Sequence, residues 1–132
     1  TSRKVRLAVE VSATLPPVRG DRVHLQQVLL NLILNGMDAM ADVPAEARRL
    51  AVRARQADAG TIEVAVADAG GGVAAEKLAR LFEPFFTTKA DGLGLGLPIS
   101  ATIIGAHGGR IWADSGPTGA TFYFTLPVSG EA

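Results

Sequence analysis

Cysteine is absent from the chain. The protein therefore has no disulfide framework and no thiolate zinc site, which is compatible with a cytoplasmic location. A surplus of charge is also absent, because 13 basic residues balance 13 acidic ones. A neutral chain lacks the bulk attraction that holds nucleic acid or an anionic membrane, so we expect no nucleic-acid partner and no direct membrane contact. No stretch resembles a transmembrane span, and no signal peptide is visible.

Aromatic residues are sparse, at 5% of the 132 residues, yet 48% of the residues are hydrophobic and only 20% are charged. This composition supports a packed core and excludes a disordered chain. We predict one domain over residues 1–128, followed by a flexible tail at 129–132. Because the chain starts at Thr1 rather than methionine, we expect it to be an excised domain of a larger protein.

Hydrophobic periodicity predicts about three helices and five or more strands. Alternating apolar residues mark a half-buried strand at 5–11, and further strands are predicted at 50–55, 62–66, 111–113 and 121–126. A long helix with Asp21 as its N-cap is predicted to run to Met40, followed by shorter helices over 75–82 and 97–107. The economical arrangement is a two-layer α/β sandwich, a sheet with its helices on one face. We assign Trp112 to the core.

One side of the long helix carries amides. Asn31 and Asn35 stand four residues apart, so they stack one turn above the other, beside Gln27 and Asp38 on a helical wheel. An amide oxygen is a hard, neutral ligand suited to Mg²⁺, which takes one or two protein ligands and otherwise binds phosphate oxygens and water. Alternatively, the asparagines cap or bridge neighbouring loops. The coincidence with Asp38 and a downstream glycine loop favours the metal site.

A carboxylate ends the third predicted strand. Asp68 is followed by glycines at 70, 71 and 72, which would let a planar ring approach the backbone. The carboxylate can accept a hydrogen bond from an exocyclic amine, and adenine offers one. An ordinary Asx-turn after a strand explains the same residues, and the pattern alone does not separate the two interpretations.

Glycines 92, 94 and 96 form a loop just before the last predicted helix. Such a loop can aim successive N–H groups at an anion, which would also lie at the N-terminus of that helix. Lys89 stands just upstream, after Phe82, Phe85 and Phe86, which we interpret as an apolar hinge for the loop. A glycine repeat of this kind also makes plain turns, so its function depends on the other two clusters.

The two histidines are assigned structural roles. His24 precedes Asn35 by eleven residues, which is about 16 Å along a helix axis at 1.5 Å per residue. His107 ends the last predicted helix, where an imidazolium interacts favourably with the helix dipole. We therefore predict that neither is a phosphoacceptor or a general base.

Together these segments resemble the catalytic ATP-binding domain of bacterial sensor histidine kinases, within the GHKL superfamily of gyrase, chaperone and mismatch-repair ATPases. The segment from Asp21 to Met40 looks like the family's N box, 68–72 like its D-x-G-x-G box, 81–86 like its F box and 92–97 like its G2 box. The segments FEPFFTTK, GLGLGL and AHGGRIWADS are most similar to those of the nitrogen-regulation and nitrogen-fixation branch of sensor kinases.

The resemblance implies the Bergerat α/β fold and a site for ATP and Mg²⁺. It implies that Asn35 ligates Mg²⁺, that Asn31 supports the metal–phosphate region and that Asp68 binds the adenine amine. Residues 87–96 become a mobile lid with Lys89 as a phosphate contact, and we expect Asn31, Asn35 and Lys89 to act in catalysis. The remaining nucleotide-binding positions it implies are Asp38, Gly70, Gly72, Thr88, Gly92, Leu93, Gly94, Leu95, Gly96, Leu97 and Thr121.

The resemblance also implies a reaction and its partners. Hydrolysing relatives place a water-activating glutamate where this chain has Asn31, and an amide cannot take a proton at neutral pH. We therefore expect transfer of the γ-phosphoryl to a histidine on a separate dimerisation domain, whose sequence box is absent here, with a response regulator downstream. We expect the domain alone to be monomeric, and the whole kinase to be soluble or membrane-anchored. A hydrolysing ATPase and a non-catalytic regulatory ATP-binding module are the alternatives.

Overall fold

The computed structural model describes residues 5–12, 15–78, 80–83 and 96–129. Five strands form one mixed sheet in the order β1-β2-β3-β5-β4. The strands are β1 (Arg6–Val11), β2 (Arg49–Asp58), β3 (Thr61–Asp68), β4 (Ile111–Gly116) and β5 (Gly119–Pro127). β1 pairs with β2 in parallel and the other pairs are antiparallel. The sheet therefore contains two hairpins, β2–β3 and β4–β5, as the turn residues near Gly60 and Gly119 predict.

Three α-helices pack on one face of this sheet. They are α1 (Arg22–Ala39), α2 (Ala75–Leu78) and α3 (Gly96–Ala106), with a short 3₁₀ turn at Ala45–Ala47. The carboxylate of Asp21 accepts hydrogen bonds from the backbone N–H groups of Val23 and His24, so it caps α1 as predicted. The helix predicted over 75–82 ends at Leu78, and residues 80–83 form turns instead. The two-layer α/β sandwich is confirmed.

The core lies between the helices and the sheet. Its fully buried centre includes Val28 and Leu32 of α1, Ile104 of α3 and Val66 of β3. Phe82, which begins the predicted hinge, packs edge-on against Phe122 with ring centroids 6.3 Å apart. Phe82 is only partly buried, so its contribution is below the value of about 1.5–3 kcal/mol for a fully buried side chain, and the contact still holds the turn after α2 against the sheet.

The other face of the sheet is open, and it corrects the assignment of Trp112. That side chain stacks on Tyr123 with centroids 5.2 Å apart, and the Arg110 guanidinium lies 5.6 Å from the ring centroid. Trp112 pairs with Tyr123 in the register of β4 and β5, whereas the buried Phe122 and Phe124 point to the helical side. Period-two alternation therefore excludes Trp112 from the core.

The edge strand β1 also departs from its predicted half-burial. Leu7, Val9 and Val11 are 57%, 60% and 57% exposed, although they lie in register with Leu50, Val52 and Ala54 on the helical side. The helical layer stops short of this edge. In the described part of the chain, no helix is both long and apolar enough to cross a membrane. The predicted tail begins in order, because the backbone N–H of Ser129 donates to the Pro17 carbonyl.

Candidate functional site

The middle of α1 brings the predicted motifs together. On one side, the Asn31 side-chain Nδ2 donates to the backbone carbonyl of Gly96 at 3.3 Å and to the Ser100 hydroxyl at 3.2 Å. On the other side, a Cβ added to Gly36 would lie 3.4 Å from Asp68 Cβ. Residues 31–36 span only about 7.5 Å of helix axis at 1.5 Å per residue. One and a half turns therefore contact both the strand-end carboxylate and the start of α3.

Asn35 lies between these two contacts. It is half-buried, and its side chain makes no hydrogen bond to any residue that the structure describes. A half-buried amide without a protein partner keeps its oxygen available to a ligand. The Asn35 amide oxygen is a hard ligand of the kind that Mg²⁺ binds. Within the described ranges, no group of three or more histidine, aspartate or glutamate side chains forms an alternative metal site.

Asp68 ends β3 with its carboxylate on the helical side of the sheet. Its Oδ1 accepts from the backbone N–H groups of Gly70 at 2.8 Å and Ala120 at 3.3 Å. Burial raises the pKa of this carboxyl, and the two backbone hydrogen bonds partly offset the rise. The second oxygen, Oδ2, lies on the side of Gly36, 3.8 Å from where a Cβ would be. Oδ1 is thus fixed by two backbone N–H groups, whereas Oδ2 has no hydrogen-bond partner among the residues that the structure describes.

Two of the three glycines after Asp68 are required by their surroundings or their backbone conformation. A Cβ on Gly70 would lie 2.6 Å from the Ala39 carbonyl oxygen at the end of α1, and Gly72 has a φ of 78°. The following residue is tied to β4, because the backbone N–H of Val73 donates to the Ser115 hydroxyl at 2.6 Å. The loop therefore combines an Asx-type bond from Gly70 to Asp68 with a fixed course along the sheet end. The Asx-turn interpretation describes the observed hydrogen bond, and the adenine interpretation stays a prediction.

Thr121 is a predicted nucleotide-binding residue that the structure does not bring to this site. It pairs with Ala67 on β3, so its side chain lies on the open face, opposite to Asp68. The neighbour that reaches Asp68 is Ala120, through its backbone N–H. Thr121 and Ala120 differ in this way because adjacent side chains of a strand point to opposite faces.

The other predicted site residues fall into three groups. Gly96 begins α3 at the Asn31 contact, and Leu97 packs on the core. Asp38 is exposed, one turn beyond Asn35. Six positions lie outside the described residues: Thr88, Lys89, Gly92, Leu93, Gly94 and Leu95, together with the hinge residues Phe85 and Phe86.

Sequence reasoning missed several residues that build the site. Gly36 was placed only on the apolar face, yet a Cβ there would lie 2.7 Å from Leu50 Cδ1, so its missing side chain lets Leu50 pack against α1 beside Asp68. Met40, fully buried at the end of α1, accepts from the Ala69 N–H through its sulfur at 3.4 Å. Ser100 is the buried partner of Asn31. Only Gly36 left a signal in the sequence, as a glycine in the interior of a helix.

Neither histidine belongs to the site. His107 Nε2 accepts from the Asp21 N–H at 3.0 Å and its Nδ1 lies 2.7 Å from the Ile103 carbonyl, so Nδ1 carries the proton and the ring is neutral. Its role is structural as predicted, although through hydrogen bonds of the neutral form. His24 is exposed beside Asp21 at the start of α1.

Two hollows lie on the sheet, away from the asparagines. The larger, of about 500 Å³, is on the open face between Arg53 and the stacked Trp112 and Tyr123. The smaller, of about 230 Å³, lies beside the β1 edge, and its lining includes Asp68 at the end of β3. Neither is lined by Asn31 or Asn35, so the candidate site beside α1 is distinct from both hollows.

Comparison with known proteins identifies the class to which this site belongs. A family model described as histidine kinase-, DNA gyrase B-, and HSP90-like ATPase matches residues 20–130. The chain therefore belongs to this ATPase family.

Its relatives within the family are sensor histidine kinases. The chain is 46% identical over 129 residues to the sensor protein FixL of Bradyrhizobium diazoefficiens, covering 97% of this chain and 25% of that protein. It superimposes on the catalytic domain of the histidine kinase ThkA, solved without nucleotide, with a TM-score of 0.82 and 31% identity over 96% of this chain and 80% of that one. Full-length ShkA in complex with AMPPNP gives a TM-score of 0.82 and 33% identity, over 98% of this chain and 27% of that one.

These comparisons confirm the resemblance to sensor-kinase catalytic domains. The chain spans 13–28% of the length of curated sensor kinases of this kind.

Proposed function

We propose that this chain binds Mg-ATP and donates its γ-phosphoryl group to a histidine on a separate dimerisation domain. The observation that carries the proposal is the double contact of α1. Residues 31–36 meet the Asp68 carboxylate on one side and the start of α3 on the other. Family membership and the AMPPNP complex of the relative ShkA support a nucleotide as the ligand between them.

The adenine end of the site is assigned to Asp68. Its Oδ1 is occupied by two backbone N–H groups, so Oδ2 remains to accept from the exocyclic amine of adenine. The close approach of Gly70 to α1 shapes the wall of this pocket without a side chain. Guanine carries a carbonyl where adenine carries its amine, so the carboxylate would repel it.

The phosphate end is assigned to Asn35 and Asn31. Asn35 would ligate Mg²⁺ through its amide oxygen, with Asn31 beside it, and Lys89 and Gly92–Gly96 would be the further phosphate contacts that the sequence predicts. The bound Mg²⁺ would offset negative charge on the β- and γ-phosphates. We extend the nucleotide contacts to Asp38, Thr88, Leu93, Leu95 and Leu97, but not to Thr121.

The reaction is an in-line displacement at the γ-phosphorus. The acceptor imidazole nitrogen attacks with its lone pair, the bond to the bridging oxygen breaks, and ADP leaves with that electron pair. Asn31 cannot remove a proton from water, so the site holds ATP without a base for hydrolysis. This property favours a kinase over a hydrolysing ATPase, and the retained Asn35 and Asp68 favour it over a regulatory module.

The partners follow from the reaction. The acceptor histidine belongs to the dimerisation domain of the same kinase, and a response regulator receives the phosphoryl group afterwards. The relative ThkA has been solved in complex with a response regulator protein, TrrA. We further propose a cytoplasmic location, a monomeric state for the chain alone, and a domain that ends at residue 128.

Titration of the chain with AMPPNP, with and without Mg²⁺, tests the metal assignment. In Asn35→Ala, the gain in affinity from Mg²⁺ should fall about tenfold or more, whereas affinity without Mg²⁺ stays within about twofold. Gln27→Ala removes an exposed amide from the same helix and serves as the matched control. An undiminished Mg²⁺ effect in Asn35→Ala would refute the assignment.

Incubation with radiolabelled ATP tests the transfer step. The chain alone should label nothing, and addition of a histidine-containing dimerisation domain of the same kinase should produce labelled phosphohistidine on that domain. Labelling of this chain at His24 or His107 would contradict the proposed division of roles.

A further inference from the structure

Ser100 is a polar side chain enclosed in the core. It lies four residues after the start of α3 and has no exposed surface. Among the residues that the structure describes, it is the one side chain classed as both polar and buried. A buried hydroxyl is costly unless it is hydrogen-bonded, so its position calls for a partner. That partner is Asn31, whose Nδ2 lies 3.2 Å from the Ser100 oxygen.

Two contacts hold the Asn31 amide: the Gly96 carbonyl determines its orientation, and the Ser100 hydroxyl restrains its rotation. Its Nδ2 also lies 3.3 Å from the Gly96 carbonyl oxygen. A carbonyl oxygen only accepts, so the group facing Gly96 must be the NH₂, and its two hydrogens serve the two acceptors on α3. Rotating the amide by 180° would bring Oδ1 against the Gly96 carbonyl oxygen and lose that hydrogen bond, although the Ser100 hydroxyl could still donate to Oδ1. The oxygen of Asn31 is therefore held away from α3.

We propose that Ser100 is a positioning residue that fixes the amide of Asn31 for the metal–phosphate site. This inference rests on the proposed function, because it takes Asn31 as part of that site. With the hydroxyl in place, Asn31 presents Oδ1 to the bound Mg²⁺ and phosphates, next to Asn35. Without it, one amide hydrogen loses its acceptor and the side chain gains rotational freedom. Ser100 itself does not contact the nucleotide.

Nuclear magnetic resonance of the chain without nucleotide or metal reads this orientation directly. In Ser100→Ala, we expect the Asn31 side-chain NH₂ signals to shift and their exchange with water to accelerate about 2- to 10-fold, the range for one lost neutral hydrogen bond. Thr102→Val is the matched control, because the Thr102 hydroxyl lies on the same helix but donates to the Pro98 carbonyl at 3.1 Å. Unchanged Asn31 signals in Ser100→Ala would overturn the proposal.

A double-mutant cycle in AMPPNP binding separates positioning from general support of the fold. Ser100→Ala should reduce the gain in affinity from Mg²⁺ about 2- to 10-fold and leave affinity without Mg²⁺ unchanged. In an Asn31→Ala background, the same substitution should have no further effect. Equal effects in both backgrounds would overturn the positioning role. If the wild-type chain binds no AMPPNP, the proposed function fails, while the resonance experiment still decides the orientation of Asn31.

Discussion

The adenine assignment predicts that Asp68→Asn abolishes most nucleotide affinity without harming the fold. An asparagine Oδ1 can accept the same backbone hydrogen bonds from Gly70 and Ala120, so the local structure has no reason to change. The amide nitrogen would replace Oδ2 on the side of Gly36. It would then present a donor to the adenine amine, which is also a donor.

The magnitude follows from the loss of one charge-assisted hydrogen bond. Such bonds contribute about 1.5–3 kcal/mol, so the AMPPNP dissociation constant should rise about 10- to 150-fold. Isothermal titration at neutral pH measures this change. Asp114→Asn is the matched control, because Asp114 is exposed on the open face of the sheet and the chemical change is the same. Affinity within about twofold of the wild type, in a variant with an unchanged circular dichroism spectrum, would refute the reasoning.

Asp68→Asn should maintain or raise the stability of the fold, although it weakens nucleotide binding. Burial raises the pKa of Asp68, so the ionised carboxylate disfavours folding at neutral pH and the wild type loses stability as pH rises through that pKa. The uncharged amide carries no such cost. Thermal denaturation of Asp68→Asn should therefore give a Tm at or above the wild-type value at pH 7, and the difference should shrink as the pH is lowered. A clear fall in Tm at pH 7 would contradict this account of the site.

The remaining predictions concern the glycine loop and the cap of α1. Gly70→Ala should lose about 1–3 kcal/mol of unfolding free energy in urea, because the new Cβ would lie 2.6 Å from the Ala39 carbonyl oxygen. Gly71→Ala, which meets no atom within 4 Å, should change it by less than about 0.5 kcal/mol, and equal effects would disprove the packing argument. The hydrogen bond from the His24 N–H lowers the pKa of Asp21 below its ordinary value of 3.8. The ionised cap therefore stabilises the fold at pH values above 3.8, and this contribution is lost as the pH falls through the pKa of the folded state. Acid unfolding of Asp21→Ala should accordingly be less steep than that of the wild type below about pH 4, and identical curves would exclude the cap as a source of acid sensitivity.

Local signals in the sequence account for most of the fold. Strand alternation, the Asp21 cap and the turn glycines place five strands and the two long helices close to their observed bounds. The errors lie where neighbours in space decide the outcome. The helix predicted to reach residue 82 stops at Leu78, where the chain turns so that Leu81 and Phe82 can pack on the sheet. The alternating pattern correctly predicts that β1 is a strand. Its exposure was not predicted, because nothing in a strand's own sequence indicates that the helical layer ends before it.

At the candidate site, the sequence by itself determined which chemical groups of the protein are available for binding. Two amides one helical turn apart, a strand-end carboxylate before glycines and a glycine-rich loop are local patterns, and their residue types carry their chemical capacity wherever they lie. The same patterns sufficed to indicate the family.

Only the tertiary structure decided how those groups are oriented. That Oδ1 of Asp68 is occupied depends on Ala120, 52 residues away, and the amide of Asn31 is oriented by the Gly96 carbonyl, 65 residues away. Thr121 faces the wrong side of the sheet because its register with Ala67 sets its direction. Such facts depend on strand pairing and helix packing across the domain, which spacing along the chain does not encode.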